Sequence, residues 1–201
     1  MKIHLFIVLF VIFSSLSSLA LASGQSSPML NGTVQSGNIT GAPQASNITG
    51  ASQAENVTGA SQASNITGAS GNLTASSQSS NLIGTSQPDN LIGTPGDDFI
   101  FGGAGFDNIT GNQGDDEIDG GVGGDKLAGG VGNDVIFGGI GNDNISGEDG
   151  NDDLFGGPGA DYLDGGKGAD YFDCGMSTDT IANLNISEGD ISLPDCEKIA
   201  K

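Results

Sequence analysis

From Gly93 to Ala182 a large apolar side chain recurs at every ninth residue: Ile100, Ile109, Ile118, Leu127, Ile136, Ile145, Leu154, Leu163, Phe172 and Ile181. The flanking residues are of another kind, as with Asn108 and Thr110 around Ile109, or Lys126 and Ala128 around Leu127. Side chains alternate along a strand, so one inward residue between two outward ones predicts a three-residue strand. The six residues between strands must turn the chain back. They open on glycine, and carry a second glycine at the fourth position, in nine of the ten nonapeptides. Glycine reaches positive φ and lets carbonyls approach a ligand closely. Such a strict internal period marks a stacked repeat architecture rather than an ordinary packed domain.

The same phase continues upstream in weaker form. Ile39, Ile48, Val57, Ile66, Leu73, Leu82 and Leu91 keep the apolar position, while the glycine at position four is lost. Residues 23–83 are rich in Ser, Asn, Gln, Ala, Gly and Thr, with Glu55 the only charge. Three readings stand for this segment. It is a flexible spacer, a stalk glycosylated at the N-x-T sequons of Asn31, Asn38, Asn47, Asn56, Asn65 and Asn72, or a metal-free continuation of the repeat held by Asn and Thr ladders.

Position six carries the chemistry. It is Asp in all ten nonapeptides: Asp98, Asp107, Asp116, Asp125, Asp134, Asp143, Asp152, Asp161, Asp170 and Asp179. Asp89 holds the same place in the degenerate repeat 84–92. The pattern resembles the G-G-x-G-x-D-x-U-x nonapeptide of the repeats-in-toxin (RTX, haemolysin-type) family, a calcium-binding parallel β structure. The resemblance implies an all-β fold: a parallel β-roll, or β-solenoid, in which two nonapeptides make one 18-residue coil. It implies several Ca2+ ions held between successive turns by the position-six aspartates.

The geometry agrees with that expectation. Turns on one edge stack one strand spacing apart, about 4.7–4.9 Å. Asp98, Asp116, Asp134, Asp152 and Asp170 then line one edge, and Asp107, Asp125, Asp143, Asp161 and Asp179 the other, with Asp89 extending it. Bare carboxylates at that pitch repel, and a cation between neighbouring turns removes the conflict. Calcium takes about six to eight oxygens in flexible geometry, which two carboxylates plus glycine-loop carbonyls can supply, whereas magnesium demands a tighter octahedron. Each coil buries only two large apolar residues, too few to offset the ordering of a glycine-rich chain. The metal-free repeats are therefore expected to be largely unfolded.

Composition narrows the remainder. The net charge is −20, with 25 acidic residues against five lysines and no arginine. Such a surface excludes nucleic-acid binding, which needs clustered cations, and argues against docking on anionic lipid. Lys2, the apolar run 5–13 and Ala20-Leu21-Ala22 have the layout of a secretory signal peptide over 1–22. The apolar core is too short to span a bilayer, so no transmembrane segment is expected in the mature chain. The single histidine, His4, falls in that leader, which leaves no imidazole for a triad or a zinc site. In an exported protein two cysteines pair, so Cys174 and Cys196 are expected to join residues 183–201 as a C-terminal cap; a free reactive pair is the alternative.

The division expected is thus 1–22 leader, 23–83 degenerate repeats, 84–182 calcium-binding roll and 183–201 cap. Toxin members of the RTX family carry a large upstream domain that this chain does not match, so lytic or hydrolytic activity is not implied. The function expected is a secreted, non-enzymatic calcium-binding protein, structural or adhesive, with a cell-surface or matrix partner. A carbohydrate- or ice-binding face, drawing on Phe99, Phe101, Phe137, Phe155, Tyr162 and Tyr171, is the alternative.

Overall fold

The computed structural model describes residues 71–75 and 80–196, together with the strands Leu19–Ala20, Asn38–Thr40, Asn47–Thr49, Asn56–Ala60, Asn65–Thr67 and Lys198–Ile199. All regular structure among these residues is β. The chain winds as a parallel solenoid, so that odd and even nonapeptides deliver their strands to two facing sheets. One sheet has eleven strands and the other nine, each strand pairing with the one a coil before and a coil after. Register is kept by the repeat: Ile109 pairs with Leu127, Leu127 with Ile145, and Ile145 with Leu163 in one sheet. Ile100, Ile118, Ile136 and Leu154 do the same in the other.

The core is the position-eight column of each sheet. From Leu73 to Ile181 every one of these residues is at most 1% exposed. The residues on either side face out or are half-covered, as the alternation requires. Strands longer than three residues are a difference from expectation. Phe99–Gly105, Glu117–Gly123 and Lys126–Val131 run on through the first glycines of the following turn. The reason lies in the backbone, since Gly103 and Gly121 pair across coils and the sheet ladder extends around the corner.

Upstream, Asn38–Thr40 pairs with Asn56–Thr58, and Asn47–Thr49 with Asn65–Thr67. These strands join the same two sheets as the glycine-rich repeats. The short repeat 68–74 makes the coil two residues shorter, so Asn56 pairs with Asn72 and Asn65 with Asn81, and the register shifts between Thr58 and Ala60. Leu19–Ala20 pairs with Ile39–Thr40; the rest of the expected leader lies outside the described residues. No helix of the described residues is long and apolar enough to cross a membrane.

At the C-terminal end a disulfide joins Cys174 to Cys196, with Cα atoms 5.2 Å apart. Cys174 is fully buried. Leu184 and Cys196 pack against the core, closing the last coil where the period ends.

Candidate metal centre

Position six lies just before the strand, and there the carboxylate turns inward under the glycine turn. Every position-six aspartate from Asp89 to Asp179 is at most 4% exposed. They are thus buried more deeply than an edge-lining row would be. One carboxylate oxygen has a fixed structural duty. The amide of Asp116 donates to Oδ1 of Asp134 at 2.8 Å, that of Asp134 to Asp152 at 2.8 Å, and that of Asp152 to Asp170 at 3.0 Å. On the other edge Asp107 donates to Asp125, Asp125 to Asp143, and Asp143 to Asp161, each at 2.8 Å. Two ladders of carboxylate–amide bonds thus run the length of the roll, each rung 18 residues from the next.

The second oxygen is left over. Oδ2 of Asp107, Asp116, Asp125, Asp134, Asp143, Asp152, Asp161 and Asp170 is buried without a hydrogen-bond partner. A buried, unpaired carboxylate oxygen is costly, and a cation is one way to satisfy it. The surroundings suit one. An ideal Cβ placed on Gly111 would stand 2.2 Å from Oδ2 of Asp116 and 2.6 Å from the carbonyl oxygen of Gly129, one coil on. The same pair of oxygens, one carboxylate and one carbonyl, meets above Gly102, Gly120, Gly138 and Gly147. Only glycine leaves that space open. Among the described residues no three acidic, cysteine or histidine side chains converge on one point. A cation here would therefore take much of its shell from backbone carbonyls, the hard oxygen donors that calcium prefers.

The two first aspartates differ. Thr85, at position two of its repeat, gives both its amide and its hydroxyl to Oδ2 of Asp89, at 2.7 and 2.9 Å. Thr94 does the same for Asp98. Their second oxygens are satisfied by protein, which marks them as the N-terminal margin of the acidic array. At the other end the structure adds a residue that the period did not reveal. Asp190 accepts from the amide of Asp170 at 3.1 Å and from that of Asn185 at 2.6 Å, continuing one ladder into the cap. Its spacing is 20 residues instead of 18, so a strict nine-residue reading passes over it.

Burial governs the titration of the array. It pushes Asp116 and Asp152 up to about 7, and Asp125, Asp134 and Asp161 up to about 6. Hydrogen bonds from the preceding coil's amides act against this, while neighbouring carboxylates add to it. Asp98, Asp107, Asp143 and Asp170 are raised for the same leading reason.

Of the strand aromatics, Phe99, Phe137 and Tyr162 are exposed. Phe137 and Phe155 stack on one another with centroids 4.8 Å apart, and Phe155 meets Tyr171 at 6.0 Å. These rings cover neighbouring strands of their own sheet.

The family described as RTX calcium-binding nonapeptide repeat (4 copies) matches residues 92–127, 119–154 and 146–181. No curated protein and no solved structure matches the chain. With its period, its parallel coils and its matched segments in agreement, the stretch 92–181 belongs to the RTX calcium-binding nonapeptide repeats, which bind Ca2+ in their turns.

Proposed function

We propose that this chain is a secreted, non-enzymatic structural protein whose roll folds when Ca2+ enters the turns, and which serves adhesion or scaffolding at a cell surface. The observation that carries the reading is the file of buried Oδ2 atoms without partners from Asp107 to Asp170, set beside open glycines such as Gly102, Gly111, Gly120, Gly138 and Gly147. Asp107, Asp116, Asp125, Asp134, Asp143, Asp152, Asp161, Asp170 and Asp179 are the ligands proposed. Asp89 and Asp98 hold the margin of the array through their threonines. The carboxylates repeat with the lattice, so none is set apart for acid or base chemistry. Oxygen-only donors and flexible geometry favour Ca2+ over Mg2+. An exported site also meets calcium concentrations high enough to fill weak extracellular modules, at about 10⁻⁴–10⁻³ M.

Calorimetric and circular-dichroism titration of the chain from Ser23 tests this. Expected are coil in chelator, cooperative gain of β signal with Ca2+, and several ions bound per chain. A roll fully formed in chelator at pH 7 and unchanged by 10 mM Ca2+ would overturn it.

A further inference from the structure

The two turn edges, alike in their aspartates, differ in what they show to solvent. On the edge of Asp116, Asp134 and Asp152, positions three and five carry four charges, Asp97, Asp115, Asp149 and Lys167, and three amides, Gln113, Asn133 and Asn151, with Pro95, Val131 and Ala169 the apolar exceptions. These side chains bond along the edge: Asp115 accepts from the Asn133 amide at 2.8 Å, and Lys167 pairs with Asp149 at 2.5 Å. On the edge of Asp107, Asp125, Asp143 and Asp161, the same positions hold no charge at all. Position three there is Ala104, Val122, Ile140, Pro158 and Met176 in successive coils. Val122 is in register with Ala104 and with Ile140, and Pro158 with Met176. Position five adds Phe106, whose ring lies across Gly124, where the missing side chain makes room. Phe106 is 75% exposed, Met176 73%, Ile140 58% and Val122 50%.

In a chain with 25 acidic residues, five successive apolar side chains at position three of one edge, with no charge at position five, form a distinct surface. It is a straight apolar ridge, four strand spacings or about 19 Å long. Its width is set by the separation of the two sheets, about 10 Å. That footprint, about 200 Å², is far below the roughly 800 Å² per partner that a stable protein pair buries. A single row of protruding tips is instead the shape that enters a lipid interface, where no matching partner surface is required.

We propose that this turn edge docks on a lipid bilayer, with Phe106, Val122, Ile140 and Met176 inserted among the headgroups. The inference rests on the calcium reading above. The aspartates behind the ridge carry a charge that opposes approach to a membrane until Ca2+ neutralises it, so docking requires the loaded roll.

Co-sedimentation of the chain from Ser23 with phosphatidylcholine vesicles in 5 mM Ca2+ tests the proposal, with circular dichroism recorded on the same samples. Expected is binding by the parent chain, and partitioning at least tenfold weaker for the triple variant Phe106→Ser, Ile140→Ser, Met176→Ser. Val131→Ser, on the opposite edge and 55% exposed, is expected to stay within twofold of the parent. Should the triple variant lose β signal, Ile140→Ser alone is expected to weaken binding about threefold. A folded parent that ignores vesicles overturns the ridge but leaves the calcium reading intact, and a triple variant that binds like the parent does the same. A dimer abolished by the triple substitution, in a chain that ignores vesicles, assigns the ridge to a second copy. A chain that remains coil in Ca2+ overturns both readings.

Discussion

Replacing Asp116, Asp125, Asp134, Asp152 and Asp161 together by Asn separates the two duties of the position-six carboxylate. Asn retains an oxygen in the place of Oδ1, so the amide bonds these five residues accept at 2.8 Å are kept. Its NH2 takes the place of Oδ2 and faces a position-one carbonyl, as Gly129 offers to residue 116. The buried charge is gone, and so is the anionic ligand. Asp116 and Asp152 are pushed up to about 7, and the other three to about 6, from 3.8. At 1.36 kcal/mol per pH unit, keeping one of these groups ionised at pH 7 without metal costs on the order of 3–4 kcal/mol. The five are coupled and do not add. Even a third of their combined cost is on the order of 6 kcal/mol, comparable to the whole net stability of a small domain. The quintuple variant is therefore expected to show β signal in chelator at pH 7, where the parent is coil, and to bind fewer Ca2+ ions. Far-ultraviolet circular dichroism with urea titration, run in chelator and in 10 mM Ca2+, reads both effects. A variant that stays coil in chelator and still folds with Ca2+ at the parent's midpoint would refute the reasoning.

Acid should act as the same substitution does. These aspartates have folded-state values above the unfolded one, so their contribution favours the folded state below about pH 4 and is lost as pH rises through about 6–7; the metal-free parent is expected to gain β signal on acidification in calcium-free buffer, and a flat profile from pH 7 to 4 would contradict this. Ile136 is fully buried, and Ile136→Ala should cost about 2–5 kcal/mol in Ca2+, read by urea denaturation; a loss below 1 kcal/mol would mean the column is not the core. Gly139 has φ +100°, and a Cβ there would meet the Gly121 carbonyl at 2.1 Å, so Gly139→Ala should raise the Ca2+ midpoint several-fold or prevent folding, and an unchanged midpoint would speak against the tight turn. Cys174→Ser with Cys196→Ser should lower stability by about 3 kcal/mol through the freed loop, visible as a lower melting temperature in Ca2+; an equal melting temperature would show that the cap holds without its bridge.

The nine-residue period alone determined the strand positions, the inward column from Leu82 to Ile181 and the phase of the aspartates. A repeat with one apolar position can satisfy burial only by stacking, and the period sets which residues stack. Partner assignments across coils follow from it, as with Ile109, Leu127 and Ile145. Other features are products of packing between turns that no single repeat contains. The split of each carboxylate from Asp107 to Asp170 into one bonded and one unpaired oxygen depends on where the amide of the preceding coil falls. The closure of Asp89 and Asp98 by Thr85 and Thr94 needs the side chain and the carboxylate in one turn at bonding distance. Asp190 enters its ladder by shape, across an irregular 20-residue step. The ridge from Ala104 to Met176 is decided by exposure, since the period aligns these residues but only the packing of the stacked turns leaves Val122, Ile140 and Met176 standing clear in solvent.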